Sequence, residues 1–175
     1  IFNVAASTVT FPAAGTGVSY ITANESVTLT PNSTLTTGGT QMPIYVASGK
    51  TFTMAGQGIS TAAGTGIIKN GPGILQGANG NTFPGGFVLN EGMFAAGGVN
   101  AMGSGGSLTI NGGTIAGTAN RTFTGKFPGG ITIGGDFTLG SSTAPASGTA
   151  TLLFDNATAL GSSVTRTITL GGTGA

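Results

Sequence analysis

Phe83-Pro84-Gly85-Gly86-Phe87-Val88-Leu89 returns as Phe127-Pro128-Gly129-Gly130-Ile131-Thr132-Ile133, a spacing of 44 residues (83 to 127). In the same frame Met93-Phe94-Ala95 is read opposite Phe137-Thr138-Leu139. A fixed internal period is the mark of a repeat architecture, in which each unit buries its apolar face against the next. Pro-Gly-Gly supplies a fixed φ and then two residues free of Cβ, which is turn chemistry between extended segments.

A longer echo supports the same reading. Lys50-Thr51-Phe52-Thr53-Met54 corresponds to Arg166-Thr167-Ile168-Thr169-Leu170 at a spacing of 116 (50 to 166), and Phe11-Pro12 falls on Phe127-Pro128 at that same spacing. Between those anchors Val27-Thr28-Leu29 matches Phe137-Thr138-Leu139 at 110 (27 to 137), so a loop insertion of about six residues is compensated further on, as degenerate repeats allow.

The local pattern is β throughout. Ser26-Val27-Thr28-Leu29-Thr30, Ser107-Leu108-Thr109-Ile110 and Thr167-Ile168-Thr169-Leu170 alternate apolar residues with Thr or Ser, so one face is buried and one is wet. Turn signals close the runs, among them Asn70-Gly71, Asn79-Gly80 and Asn111-Gly112. No helical window of consequence is found.

Sandwiches and barrels also use short alternating strands. The 44-residue register favours a right-handed parallel β-helix, a β-solenoid whose coils run to roughly 20–24 residues, so that 44 is two coils. With coils about 4.8 Å apart, roughly eight would make a rod of about 38 Å. The expected organisation is a single solenoid segment over 1–175, part of a longer array or fibre.

Composition bounds the function classes. The chain holds 35 Gly and 7 Pro, with 38% hydrophobic and only 5% charged residues, mean hydropathy +0.32 and net charge +1. A disordered chain would be apolar-poor and charge-rich, so this one buries a core made of short elements. Five Lys and Arg form no basic patch, which argues against nucleic acid. No run of about 18 apolar residues is present to span a membrane as a helix. With no Cys and no His, the Ser-His-Asp and Cys-His arrangements and nearly all structural zinc sites are excluded. The beginning, Ile1-Phe2-Asn3-Val4, has no basic n-region.

Residues 69–94 carry a specific likeness. Lys69-Asn70-Gly71-Pro72-Gly73-Ile74-Leu75, followed by Asn81-Thr82-Phe83-Pro84-Gly85-Gly86-Phe87-Val88-Leu89-Asn90-Glu91-Gly92-Met93-Phe94, resembles the autotransporter-associated β-strand repeat. The continuation through Leu108-Thr109-Ile110-Asn111-Gly112-Gly113-Thr114 resembles the usual sequel, a strand ending in Asn-Gly-Gly-Thr. The repeat signature residues are then Lys69, Gly71, Gly73, Asn81, Phe83, Gly85, Gly86 and Gly92, with Phe127, Gly129 and Gly130 in the second copy. Gly77 departs from the pattern, standing where the repeat has a second strand leucine, and suggests a kinked or thin coil. The resemblance implies a passenger-type β-helix on a bacterial surface, and it transfers no active site.

The carboxylates are Glu25, Glu91, Asp136 and Asp155. Glu91 and Asp136 fall one position apart in the 44-residue register, two coils and about 9–10 Å apart, the outer limit for an inverting carboxylate pair. Gly71-Pro72-Gly73 with Glu91 mimics a nucleotide-binding loop, but no helix follows it. Gly134-Gly135-Asp136 is a lone acidic turn, not a calcium array. Lys69 is expected to protect an edge or bond to a neighbouring coil, with a Lys–Asn crosslink as the sharper alternative. Phe83 and Phe127, with Phe11 as a looser third, are expected to stack inside; the alternative is a surface platform for sugar. Asn24-Glu25-Ser26, Asn32-Ser33-Thr34, Asn120-Arg121-Thr122 and Asn156-Ala157-Thr158 are sequons, and the outer Ser/Thr rows could accept O-linked sugars.

The reading that follows is a structural or adhesive module at a bacterial cell surface, extracellular and not an enzyme, with no catalytic, cofactor-binding or metal residue assigned. Its expected partners are further copies stacked end to end through uncapped coils, with surface glycans as a candidate ligand. The alternative is a carbohydrate-binding or polysaccharide-cleaving β-helix.

Overall fold

The computed structural model describes residues 8–11, 20–29, 34–37, 41–55, 60–61, 64–78, 80–117, 121–140, 152–153, 158–159 and 165–171. All its regular elements are short strands, and every pairing between them is parallel. The first coil holds β1 (Thr8–Phe11), β2 (Ile21–Ala23) and β3 (Val27–Leu29); the second holds β4 (Thr34–Thr37), β5 (Gln41–Val46) and β6 (Thr51–Met54). Then come β7 (Gly66–Asn70) with β8 (Ile74–Gly77), β9 (Phe87–Leu89) with β10 (Met93–Ala96), and β11 (Leu108–Ile110) with β12 (Thr114–Gly117). The sixth coil has β13 (Arg121–Thr122), β14 (Ile131–Ile133) and β15 (Phe137–Leu139); the seventh has β16 (Leu152–Leu153), β17 (Thr158–Ala159) and β18 (Ile168–Leu170).

Each coil crosses two long sheets in turn. The first sheet runs β2-β5-β7-β9-β11-β14-β17 and the second β3-β6-β8-β10-β12-β15-β18, each seven-stranded. A third side is paired as strands at its two ends, β1 with β4 and β13 with β16, and by the Ser60–Thr82 bridge between. This is a parallel β-solenoid without helix, as the repeat predicts. Among the described residues each long sheet has seven rungs, the first and last about 29 Å apart.

Coil length follows the register. Ile67, Phe87, Leu108 and Ile131 stack in one column, giving coils of 20, 21 and 23 residues. The next step, Ile131 to Thr158, takes 27 because the loop lengthens. The 44-residue echo is thus two coils on the first sheet, where Phe87 and Ile131 share a column.

On the second sheet the frame slips by one. Met93 aligns with Thr114 and Thr114 with Thr138, so Phe94 shares a column with Leu139, not with Thr138. A bulge is the cause: the Gly134 and Gly135 N–H groups both donate to Ile110 O, at 2.7 and 3.1 Å, so one extra residue is taken up at that corner. The 116-residue echo is likewise offset, because Phe52 shares a column with Leu170 through Leu75, Phe94, Ile115 and Leu139. That offset of two, like the one that puts Val27 on Phe52, preserves which face each residue takes.

The interior is apolar and closely filled. Met42, Ile44, Ile67, Leu75, Leu89, Phe94, Leu108 and Ile115 are all completely buried. In one inward column Leu29 and Met54 are followed by Gly77, Ala96 and Gly117, large residues giving way to small. Gly77 is the last residue of β8 and pairs with Met54 on one side and Ala96 on the other. A Cβ at Gly77 would come within 2.9 Å of Phe94 Cζ, so the glycine leaves the space that the Phe94 ring occupies.

Candidate functional site: the polar corner between the two long sheets

Between the two sheets the chain turns within three or four residues, and this corner collects the polar chemistry of the described residues. The backbone requires glycine here: Gly49, Gly71, Gly92 and Gly113, one per coil, have φ of 68, 79, 72 and 79°. The signature residues Gly71 and Gly92 are therefore corner positions. Gly73, the third of them, packs so tightly that a Cβ would stand 2.8 Å from Lys50 O.

Lys69 sits in an inward column between Ile44 and Leu89 and is 0% exposed. Its ammonium ends in a cage of main-chain carbonyls, donating to Gly71 O at 2.6 Å, Asn70 O at 2.9 Å and Glu91 O at 3.2 Å. The last bond reaches the neighbouring coil, as expected, but the side chain is a core residue and not an edge guard. Burial lowers the Lys69 pKa from 10.5 to about 8, the nearby Glu91 carboxylate opposing the shift. Its Nζ is thus held by three backbone oxygens, and no asparagine side chain is among its partners.

Outward of Lys69 runs an amide ladder. Asn90 Nδ2 donates to Asn70 Oδ1 at 2.8 Å and Asn111 Nδ2 to Asn90 Oδ1 at 2.9 Å, one asparagine per coil. It stops at Gly134, where a Cβ would overlap Asn111 Oδ1. In sequence Asn70-Gly71 and Asn111-Gly112 read as turn signals; the recurrence of asparagine at 70, 90 and 111 is the signal of the ladder.

The carboxylates are occupied at the same corner. Glu91 Oε1 accepts from Gly71 N at 2.7 Å, Asp136 Oδ1 accepts from Thr167 N at 2.8 Å, and Glu25 pairs with Lys50 at 2.6 Å. Each bond joins one coil to the next. Glu91 and Asp136 are two coils apart, in the fourth and sixth, and each is turned to a backbone amide. Asp155 lies outside the described residues, as do Asn32, Asn120 and Asn156 of the sequons; Asn24 is exposed. Among the described residues no group of three or more metal-ligating side chains occurs, and no helix is long and apolar enough to cross a membrane.

The other signature residues build the opposite corner. In Phe83-Pro84-Gly85-Gly86 the Gly86 N–H closes a turn onto Phe83 O at 2.8 Å, and Gly130 does the same onto Phe127 O at 2.9 Å. The positive φ falls on the last glycine each time, 93° at Gly86 and 86° at Gly130. Gly85 and Gly129 instead give room: a Cβ at Gly129 would stand 3.1 Å from Ser107 Cβ. Asn81 is buried and donates to Ala101 O of the next coil at 2.7 Å.

Phe83 and Phe127 are buried, as the interior reading expects, and so cannot serve as a surface platform. Among the described residues the ring contacts are Phe83 with Phe87 (6.4 Å), Phe87 with Phe94 (4.9 Å) and Phe123 with Phe127 (6.3 Å). The side chain of Phe11 lies outside the described residues. Among the described residues the exposed aromatics are Tyr20 and Tyr45, neither of which belongs to a repeat pattern.

Comparison with protein-family models, curated proteins and solved structures gives no match for the chain.

Proposed function

We propose that this chain is a structural and adhesive module of a bacterial cell surface, of the autotransporter-repeat kind, and that it is not an enzyme. The observation that carries this reading is the use made of its few charged groups. Glu25, Glu91, Asp136, Lys50 and Lys69 all bind one coil to the next at a single corner. A chain so poor in charge that commits Glu25, Glu91 and Asp136 to coil-to-coil bonds is organised for a continuous stack, not for acid–base chemistry. The inward phenylalanines and the outward Thr22, Thr28 and Thr132 agree with a rod that shows water a neutral, hydroxylated surface.

The same reading has the coils associate end to end. On β18 Ile168, Thr169 and Leu170 are all exposed, Leu170 at 81%, although Leu170 continues the column of Phe52, Leu75 and Phe94. A second copy laying a parallel strand there would cover that residue and pair the strand edge. Sedimentation velocity with negative-stain electron microscopy tests the reading. Mass should grow with concentration into rods of constant width, and Leu170→Lys should suppress the growth. A compact monomer of constant mass at every concentration would overturn it.

A further inference from the structure

The outer face of the first sheet carries a surface that the rod itself does not require. We infer that this face, centred on Tyr20 and Tyr45, binds a neutral glycan chain, and that it is the adhesive surface of the module. The inference rests on the reading of the chain as an adhesive rod and supplies its ligand class.

Two columns make the surface. In the first, Pro43, Ile68 and Val88 stack on consecutive rungs before giving way to Thr109 and Thr132. Tyr20 precedes β2 directly and prolongs this column by one rung, at 67% exposure. In the second, Thr22 aligns with Tyr45 and Tyr45 with Asn70, from which the amide ladder runs on through Asn90 to Asn111. Outward positions on a solenoid need only be polar, and Thr109 and Thr132 show that the later rungs obey this. On the earlier rungs Pro43, Ile68 and Val88 are half-buried, and with the two exposed tyrosines beside them they make the apolar part of a contact surface.

The chemistry selects the occupant. The tyrosines lie on adjacent rungs and two residues apart along the strand, about 8 Å between backbones. Two sugar rings of one oligosaccharide can span that distance. Tyr45 remains 42% exposed, yet Cδ2 and Cε2 of its ring lie 2.9 Å from where a Gly71 Cβ would be, so the ring rests against that corner and is held in place. Beside the rings the asparagines offer donors and acceptors at rung spacing: Asn90 and Asn111 each spend one of two N–H groups on the ladder, and Asn70 enters it as an acceptor. The neighbouring charges are matched, Lys50 to Glu25 and Lys69 beside Glu91, so no net charge attracts an anionic polymer. Aromatic faces that can stack on sugar rings, flanked by amides that can bond to hydroxyls and carrying no net charge, suit a neutral saccharide.

The chain has two tyrosines and no tryptophan, so tyrosine emission reports on this face alone. Titration of the purified chain with cellohexaose and with chitohexaose should give a saturable change with at least one of them. Calorimetry should show binding weakened about three- to tenfold in Tyr20→Ala and again in Tyr45→Ala, with Tyr45→Phe close to wild type. Far-UV circular dichroism should stay unchanged in all three. No saturable change with either sugar, binding indifferent to Tyr45→Ala, or preference for polygalacturonate would overturn the assignment. Self-association abolished by Tyr45→Ala without sugar binding would reassign the face to a second copy. The end-to-end stacking is read separately by Leu170→Lys, so either idea can fail without the other.

Discussion

Gly49→Ala and Gly92→Ala add the same methyl group at equivalent corners with nearly the same backbone, φ 68° and 72°. Their surroundings differ. Nothing lies within 4 Å of a Cβ at Gly49, so the cost there is left-handed strain alone, about 1–2 kcal/mol. At Gly92 the methyl would press on Gly71 O, stand 2.6 Å from Gly73 O and reach 2.8 Å from Lys69 Nζ. Two of these atoms are backbone of the preceding coil, and the third is the ammonium already fixed by its carbonyls. Overpacking of this kind adds about 1–3 kcal/mol, for a total of about 2–5 kcal/mol. Guanidinium denaturation followed by circular dichroism gives the global cost. Native-state hydrogen exchange at the Asn90 and Met93 amides, which bond to Lys69 O and Gly73 O, gives the local one where a repeat array is not fully cooperative. Equal losses in the two variants would refute the close-packed corner, since strain alone would then account for both.

Three further outcomes follow from the interior and its corner. Because Lys69 releases its proton in the folded chain near pH 8 and in the unfolded chain near 10.5, wild-type stability should rise through that interval by up to about 3 kcal/mol; Lys69→Met should lack the rise, as denaturation midpoints against pH will show. Phe94→Ala empties the ring that fills the space beside Gly77 and meets Phe87, and should cost about 3–5 kcal/mol in the same unfolding assay. Asn90→Ala breaks the amide ladder in both directions at a half-exposed site, so a loss of about 1 kcal/mol is expected, with faster exchange at the Gly71 and Gly113 corners.

The fold was legible because alternation and turn chemistry point the same way. Thr between apolar residues sets the facing of β3, β11 and β14, and Phe-Pro-Gly-Gly marks one corner twice at a two-coil interval. Register was less legible where the structure absorbs single residues. The bulge at Gly134 and Gly135 leaves no mark in composition, since both are ordinary turn residues, yet it shifts β15 by one place against β10. Lys69 was recognisable as a repeat residue but not as a core one, because nothing local says that its ammonium reaches a ring of carbonyls through an apolar interior. Tyr20 and Tyr45 carry no signal in the sequence because neither belongs to a repeat. What distinguishes them is the rung partner that stacking gives them, and that appears only when the coils are closed.

Residues far apart in sequence stack as successive rungs at one fixed spacing. Thr51, Thr138 and Thr169 share a column, Thr138 four rungs from Thr51 and Thr169 five. The chain has no cysteine, so paired spin labels can be placed at these threonines alone. Double electron–electron resonance on Thr51→Cys/Thr138→Cys and Thr51→Cys/Thr169→Cys should give narrow distributions near 19 and 24 Å, about one rung apart. Equal distances, or broad distributions without that step, would contradict the solenoid.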